Sequence, residues 1–325
     1  MFWKIGQLWK QSFFIPKPKF TADDVPDLSG KVVIVTGGNT GIGKETVKAL
    51  LRKNATVYMA ARSKSKADAA IADLESQLGK KAHFIELDLA DLASVRKAAQ
   101  TFKSQENSLN ILFNNGGVMF TDIKDVTKQG YDLQFGVNVL GHFYFTKLLL
   151  PTMQETAKTA PPGSVRVVTT SSSAAFLYQN KDIDYTTLKE GETRTKLGSH
   201  NLYAQSKLAS SLVSTELARR YAAEGIVSIS VNPGNISSDL QRNITSFAFR
   251  TLNKIMLHPT PFGAITQLYA GTSPEAGELN GKFLIPWARL GQHSKDCNNP
   301  ESAQRVWEYL ESQVNAFEEG NPESA

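Results

Sequence analysis

Val32-Val33-Ile34-Val35-Thr36-Gly37-Gly38-Asn39-Thr40-Gly41-Ile42-Gly43 decides the fold of this chain. Four β-branched residues in a row read as a strand buried on both faces. After the glycines, Lys44-Glu45-Thr46-Val47-Lys48-Ala49-Leu50-Leu51 has helical spacing. Glycines lack a Cβ, so the backbone of such a turn can approach a pyrophosphate, whose charge then meets the free N–H groups and positive end of the helix. The stretch predicts a dinucleotide site. A glycine triplet is also compatible with a tight strand-to-helix turn that binds nothing, and the rest of the chain has to decide.

Working outward, strands alternate with helices for most of the chain, the sequence form of an α/β fold with a doubly wound parallel sheet and helices on both faces. A helix from about Gly41 to Lys53 leads to a second strand, Ala55–Ala60, which ends at Ala61-Arg62-Ser63-Lys64. An acidic residue at this strand end binds the ribose 2′-hydroxyl of NAD, whereas an arginine serves the 2′-phosphate of NADP. Here Ala61 stands where the acid would be and Arg62 follows, which favours NADP(H); the alternative for Arg62 is a solvated charge at a helix start. A third strand, Ala82–Leu87, runs into Asp88-Leu89, and its His83 reads as a surface residue. A fourth, Leu109–Phe113, precedes Asn114-Asn115-Gly116-Gly117. A long helix from about Val126 to Lys158 carries Asn138, which needs a polar partner if buried, and His142, which reads as packing. The strand Val165–Thr170 then delivers Ser171-Ser172-Ser173 at its carboxyl end, where open α/β sheets bind ligands.

Composition narrows the function. The 325 residues, 41% of them hydrophobic, suffice for one α/β domain with a full core. The single cysteine, Cys297, excludes an intramolecular disulfide, and no Cys/His cluster has metal-ligand spacing, so an intracellular, cytoplasmic, metal-free protein is expected. The net charge of +5 is mild and its basic residues are scattered, which argues against nucleic-acid binding. The N-x-S/T sequences at Asn54, Asn235 and Asn243 read as chance matches without a secretory signal. Residues 1–20 mix Trp3, Trp9 and other apolar residues with Lys4, Lys10, Lys17 and Lys19, and Pro16 and Pro18 stop them. They are too short and too interrupted to span a bilayer. An arm packed on its own domain or a neighbour is expected, with weak peripheral membrane contact through residues 1–20 and a homo-oligomer as the open alternatives.

Thr36-Gly37-x-x-x-Gly41-x-Gly43 after the first strand, Asn114-Asn115-Gly116-Gly117 after the fourth, Ser172, a Tyr-x-x-x-Lys pair and Asn232-Pro233-Gly234 follow one another in an order that resembles the short-chain dehydrogenase/reductase family over about residues 30–290. Gly116 replaces the alanine usual in that family's second motif. The reaction the resemblance implies needs the tyrosine and lysine, and two pairs compete: Tyr185/Lys189 and Tyr203/Lys207. The first runs into the polar, glycine-interrupted Glu190-Gly191-Glu192-Thr193-Arg194; the second continues into the helix-compatible Leu208–Ala218. One helix and one strand, Ile226–Val231, then reach Asn232-Pro233-Gly234, the family's register for Tyr203. Residues 174–202 become an insertion at the site's mouth, and Asp182-Ile183-Asp184-Tyr185 looks like the retinol-dehydrogenase-like and WW-domain-oxidoreductase-like branch, which includes many fungal members.

The resemblance implies a Rossmann-type catalytic domain over 30–317, an arm over 1–29, a lid at about 237–262 and a tail from 318 to 325. It assigns catalysis to Asn138, Ser172, Tyr203 and Lys207, and cofactor contacts to Gly37, Asn39, Thr40, Gly41, Ile42, Gly43, Arg62, Asp88, Leu89, Asn115, Tyr203, Lys207, Pro233, Gly234, Ile236 and Ser238. Tyr203 would exchange a proton with the substrate oxygen, Ser172 would hydrogen-bond that oxygen, Lys207 would favour phenolate and hold the nicotinamide ribose, and Asn138 would position a water. Bringing a tyrosine from about 10 to about 7 takes roughly 4 kcal/mol of phenolate stabilisation, more than one solvated lysine supplies. Phe247, Phe249, Leu252, Ile255, Met256 and Leu257 in the lid suggest an apolar small-molecule substrate, or simply pack on the sheet. The expected activity is NADP(H)-dependent interconversion of a carbonyl and an alcohol. The alternatives are reduction of an activated C=C bond at the same site, and a cofactor-binding regulatory protein.

Overall fold

In a computed structural model of the chain the described residues are 6, 11, 15–178, 180, 182–237, 240, 257–292 and 296–321. Eight strands form one sheet: β1 (Val32–Thr36), β2 (Thr56–Ala61), β3 (His83–Glu86), β4 (Ile111–Asn114), β5 (Val165–Thr170), β6 (Ile226–Val231), β7 (Phe283–Ile285) and β8 (Arg289–Leu290). Their order is β3-β2-β1-β4-β5-β6-β7-β8. All pairings are parallel except the last, where the short β8 returns antiparallel beside β7. All five residues of β1 are buried, as a β-branched run at the sheet centre requires.

Alternate β1 side chains feed two cores. Val33 and Val35 pack with α1 (Gly41–Arg52), α2 (Lys64–Leu78) and α6 (Thr260–Thr272) on one face. Val32 and Ile34 belong to the core of the other face, with α3 (Leu92–Lys103), α4 (His142–Thr159), α5 (Glu192–Tyr221) and α7 (Pro300–Gly320). This is the doubly wound arrangement expected from the alternation of strands and helices.

The long helix expected from about Val126 starts later. Val126 and Asp132 form an antiparallel bridge around a turn with Gly130 at φ 78°, and the Asp132 carboxylate accepts from the N–H groups of Gln134 and Phe135 to open a helical turn, Leu133–Phe135. A π-helical turn, Gly136–Gly141, follows and leads into α4. Of the stretch Glu190–Arg194, expected not to continue as a buried helix, residues 190–193 are exposed, yet Glu192 opens α5 and Arg194 is buried, its Nε donating to Asp132 at 3.0 Å. Gly198 interrupts α5 with non-helical φ 78° and ψ 154°. α7 runs to Gly320, and Arg96 pairs with Glu318 just before its end at 3.2 Å.

Of the arm, Gln11 is fully buried and accepts a 2.9 Å hydrogen bond from Asn232, so this residue packs on its own domain. Trp3 and Trp9 lie outside the described residues. Among those described, no helix is long and apolar enough to cross a membrane, and no group of three or more His, Cys, Asp or Glu side chains is placed to hold a metal ion.

Candidate active site

The turn after β1 leaves room only for backbone. Gly37 has φ 64°, and a Cβ on it would stand 2.9 Å from the Gly116 Cα; one on Gly43 would stand 2.2 Å from the Gly37 carbonyl oxygen. Thr36 draws the turn after β4 against this cradle. Its Oγ1 accepts from the N–H groups of Asn115 and Gly116, both at 2.9 Å, and its carbonyl accepts from the Asn115 side chain at 2.8 Å. Bare backbone at the start of α1 is what a pyrophosphate needs, so the residues fit a dinucleotide.

The other expected cofactor contacts surround this cradle. Ile42 and Ile236 converge on Gly263 of α6, where an added Cβ would lie 2.7 and 2.9 Å from them. The Leu89 side chain would stand 3.2 Å from a Cβ on Gly116. Asp88 accepts from the Ala90 N–H at 3.0 Å, so one carboxylate oxygen holds its own loop. Arg62, directly after β2, is exposed and makes no hydrogen bond or ion pair among the described residues. Gly234, φ 86°, donates to the Asn232 side chain at 3.0 Å beside Pro233. Ser238, and the lid residues from Phe247 to Met256, lie outside the described residues.

At the carboxyl ends of β4 and β5 the expected catalytic residues come together. Tyr203 is buried on α5, and burial pushes its hydroxyl up to about 12 against the opposing pull of the Ser172 hydroxyl, with which it interacts. Ser172 caps the short turn Ser173–Phe176, accepting from the Ala174 N–H at 3.1 Å. One helical turn beyond Tyr203, Lys207 is 5% exposed, and its Nζ donates to the Thr170 carbonyl at 2.9 Å and lies 5.8 Å from the Tyr203 ring centre. Burial pulls this ammonium down to about 8. Gly117 sits between Lys207 and Asn138: a Cβ there would be 3.1 Å from the Asn138 Oδ1 and 3.8 Å from the Lys207 Nζ. The buried Asn138 is fully engaged, accepting from the Val118 N–H at 2.9 Å and donating to the Val118 carbonyl and the Ser206 hydroxyl at 3.0 Å each.

Tyr185 is elsewhere. It packs 5.0 Å from Tyr309 of α7, its buried hydroxyl has no hydrogen-bond partner among the described residues, and Lys189 lies over the Tyr131 ring instead, at 4.8 Å. Gln205, two residues past Tyr203, ties the intervening segment down: it accepts from Tyr178 and from the Asp184 N–H, and donates to Thr187 at 2.9 Å.

His142 has more than the packing part assigned to it from sequence. Fully enclosed, it bonds through Nε2 to the Thr36 hydroxyl at 2.9 Å and through Nδ1 to the Asn138 carbonyl at 3.3 Å. Burial pulls its pKa down to about 3, the nearby Lys207 charge acting in the same direction against the Asn138 carbonyl, so the ring is neutral. One imidazole thus joins the glycine cradle to the π-helical turn that carries Asn138. Its i, i+4 spacing from Asn138 was the available signal.

Comparison with known proteins agrees with this geometry. Residues 31–197 match the sequence model described as short chain dehydrogenase. A short-chain dehydrogenase/reductase of Armillaria gallica is 52% identical over 315 residues, covering 96% of this chain and the whole of that protein. Among solved structures, a short chain dehydrogenase from Burkholderia cenocepacia in complex with NADP superposes with a TM-score of 0.60 at 27% identity, over 80% of this chain and 97% of that one. The NADP active-site complex of RhlG from Pseudomonas aeruginosa gives 0.63 at 25% identity, over 80% and 95%. With a cradle that only glycines permit and a half-buried Ser172 beside buried Tyr203, Lys207 and Asn138, the chain belongs to the short chain dehydrogenase family and is an NAD(P)-dependent oxidoreductase.

Proposed function

We propose that this enzyme uses NADP(H) to interconvert a carbonyl and an alcohol on an apolar small molecule, with Tyr203 as general acid and base. The observation that carries the reading is a chain of neighbours, Ser172 with Tyr203, Tyr203 with Lys207, and Lys207 with Asn138 across Gly117. Gly37, Gly41 and Gly43 with the start of α1 would hold the pyrophosphate, Arg62 the 2′-phosphate, and Lys207 the nicotinamide ribose. When bound, the nicotinamide supplies or accepts hydride.

The residues divide the proton work. With its hydroxyl pushed up to about 12, Tyr203 is a phenol throughout neutral pH and is ready to donate to a carbonyl oxygen that Ser172 also bonds. For the reverse direction, bringing it to about 7 takes roughly 7 kcal/mol, more than a free tyrosine would need. Lys207, close by and shielded from water, is the protein's source of that stabilisation. Asn138 fixes the loop at Val118 that carries Gly117 past Lys207.

Tyr203→Phe removes one hydroxyl and tests this directly. NADPH binding and the fold should survive while turnover of a ketone falls by about 10²–10⁴-fold or more. Tyr185→Phe should change turnover only slightly. A dead Tyr185→Phe beside an active Tyr203→Phe would reverse the assignment.

A further inference from the structure

Phe120 has φ 51°, a left-handed conformation that a bulky side chain rarely takes. A glycine would adopt it freely, so the ring rather than the turn is what the position serves. The neighbours hold it there. The Phe120 N–H donates to the side chain of buried Gln134 at 2.8 Å, Gln134 donates to the Ser199 carbonyl at 2.9 Å, and the Ser199 hydroxyl donates to the Thr121 carbonyl at 2.8 Å. These three bonds clamp the loop after β4 to α5 just past its break at Gly198. The clamped ring lies 4.2 Å from the His200 imidazole, tilted by 35°, and 5.3 Å edge-on from the Tyr203 ring. Three rings therefore run from exposed His200 through half-buried Phe120 to buried Tyr203. Leu177, 59% exposed, adds an apolar side chain five residues past Ser172.

We infer that Phe120 and His200 form a specificity wall, and that the substrate is an aryl carbonyl compound or its alcohol, with the aromatic ring next to the reacting carbon. This rests on the carbonyl reading above and names its substrate class. Aromatic rings pair in offset and edge-on geometries through their quadrupoles, an interaction a saturated ring of the same size cannot make. A wall built only for apolar area would need no ring held in an unfavourable backbone conformation.

Acetophenone and cyclohexyl methyl ketone carry rings of the same size beside the carbonyl and differ in aromaticity and the conjugation it brings, which the two variants below separate from the wall. The dissociation constants of both ketones are measured by calorimetry on NADPH-loaded Tyr203→Phe protein, in which turnover of both is slowed by about 10²–10⁴-fold. Acetophenone should bind about fivefold tighter. Phe120→Leu keeps an apolar side chain and should abolish the preference while leaving the cyclohexyl ketone within about twofold; His200→Ala, on an exposed residue, should cut the preference by about half. Equal affinities at the outset, or equal losses for both ketones in Phe120→Leu, overturn the wall. Should Phe120→Leu fail to fold, an unchanged preference in His200→Ala overturns it instead. A preference in binding without NADPH consumption by the unmodified chain would retain the wall and remove carbonyl reduction.

Discussion

Arg62 and Lys207 are two cations in opposite surroundings. Arg62 is exposed and makes no hydrogen bond or ion pair among the described residues, and the proposed use of NADP(H) gives it the task of electrostatic selection: Arg62→Ala should weaken NADPH about tenfold and leave NADH nearly unchanged, read by fluorescence titration of each. The difference should shrink at high salt. Equal affinities for the two cofactors in the unmodified protein would remove this role. Lys207, held at about 8 against 10.5, is charged at a cost to the fold. The unfolded chain keeps its lysine proton between those values while the folded one releases it, so stability rises with pH through that window and the cost is complete below about 8. Lys207→Met should therefore raise the unfolding free energy at pH 7 by up to about 3 kcal/mol, less the lost bond to Thr170, and the gain should fade above pH 8. Denaturant unfolding across pH 7–11 checks it. Both cations were legible in the sequence, Arg62 from its place at a strand end and Lys207 from its spacing to Tyr203. His142 was not, because its partner Thr36 lies 106 positions away and only the folded sheet brings them together.

At the scale of elements, regular strands were read nearly to the residue, because β-branched runs at a sheet centre leave little freedom. β1, β5 and β6 are where the sequence puts them. Irregular elements escaped. The π-helical turn at Gly136–Gly141 has no composition of its own, β8 is two residues long, and the break in α5 depends on one glycine. Arg166 shows how an element is secured by a residue with no sequence signature. Buried at the start of β5, it donates through Nη1 to the carbonyls of Ala270 and Ser273 at the carboxyl end of α6, at 3.0 and 2.8 Å, and through Nε to Gly163. A cation suits this negative helix end. Arg166→Lys keeps charge but cannot reach three carbonyls with one fork, and should cost about 1–3 kcal/mol in denaturant unfolding. A loss within 0.5 kcal/mol would mean that solvent or a neighbour satisfies those carbonyls.

For the whole molecule, α7 locks one face. Trp307 is 1% exposed, packs edge-on against Phe143 of α4 at 4.9 Å, and carries the Arg220 guanidinium of α5 at 5.0 Å from its ring. Trp307→Ala should lower stability by about 3–5 kcal/mol, measured by urea unfolding, and should weaken catalysis through α4 and α5 rather than at the cofactor cradle. Helical spacing from Pro300 to Phe317 puts Val306, Trp307, Leu310 and Val314 on one inward face, but the partners of Trp307 on two other helices are not visible in it.

The same arrangement sets an order in time. The cradle is made of β1, α1 and the turn at Asn115-Gly116, whereas the helix bearing Tyr203 gains its last support, Trp307 under Arg220, only when α7 is made. At ribosomal rates the stretch between Gly116 and Trp307 takes roughly 10–40 s to make. Late in that interval the glycines of the cradle and Tyr203 are already made while the helix that backs Tyr203 is not, so the parts that would hold nucleotide precede the full support of the proton donor.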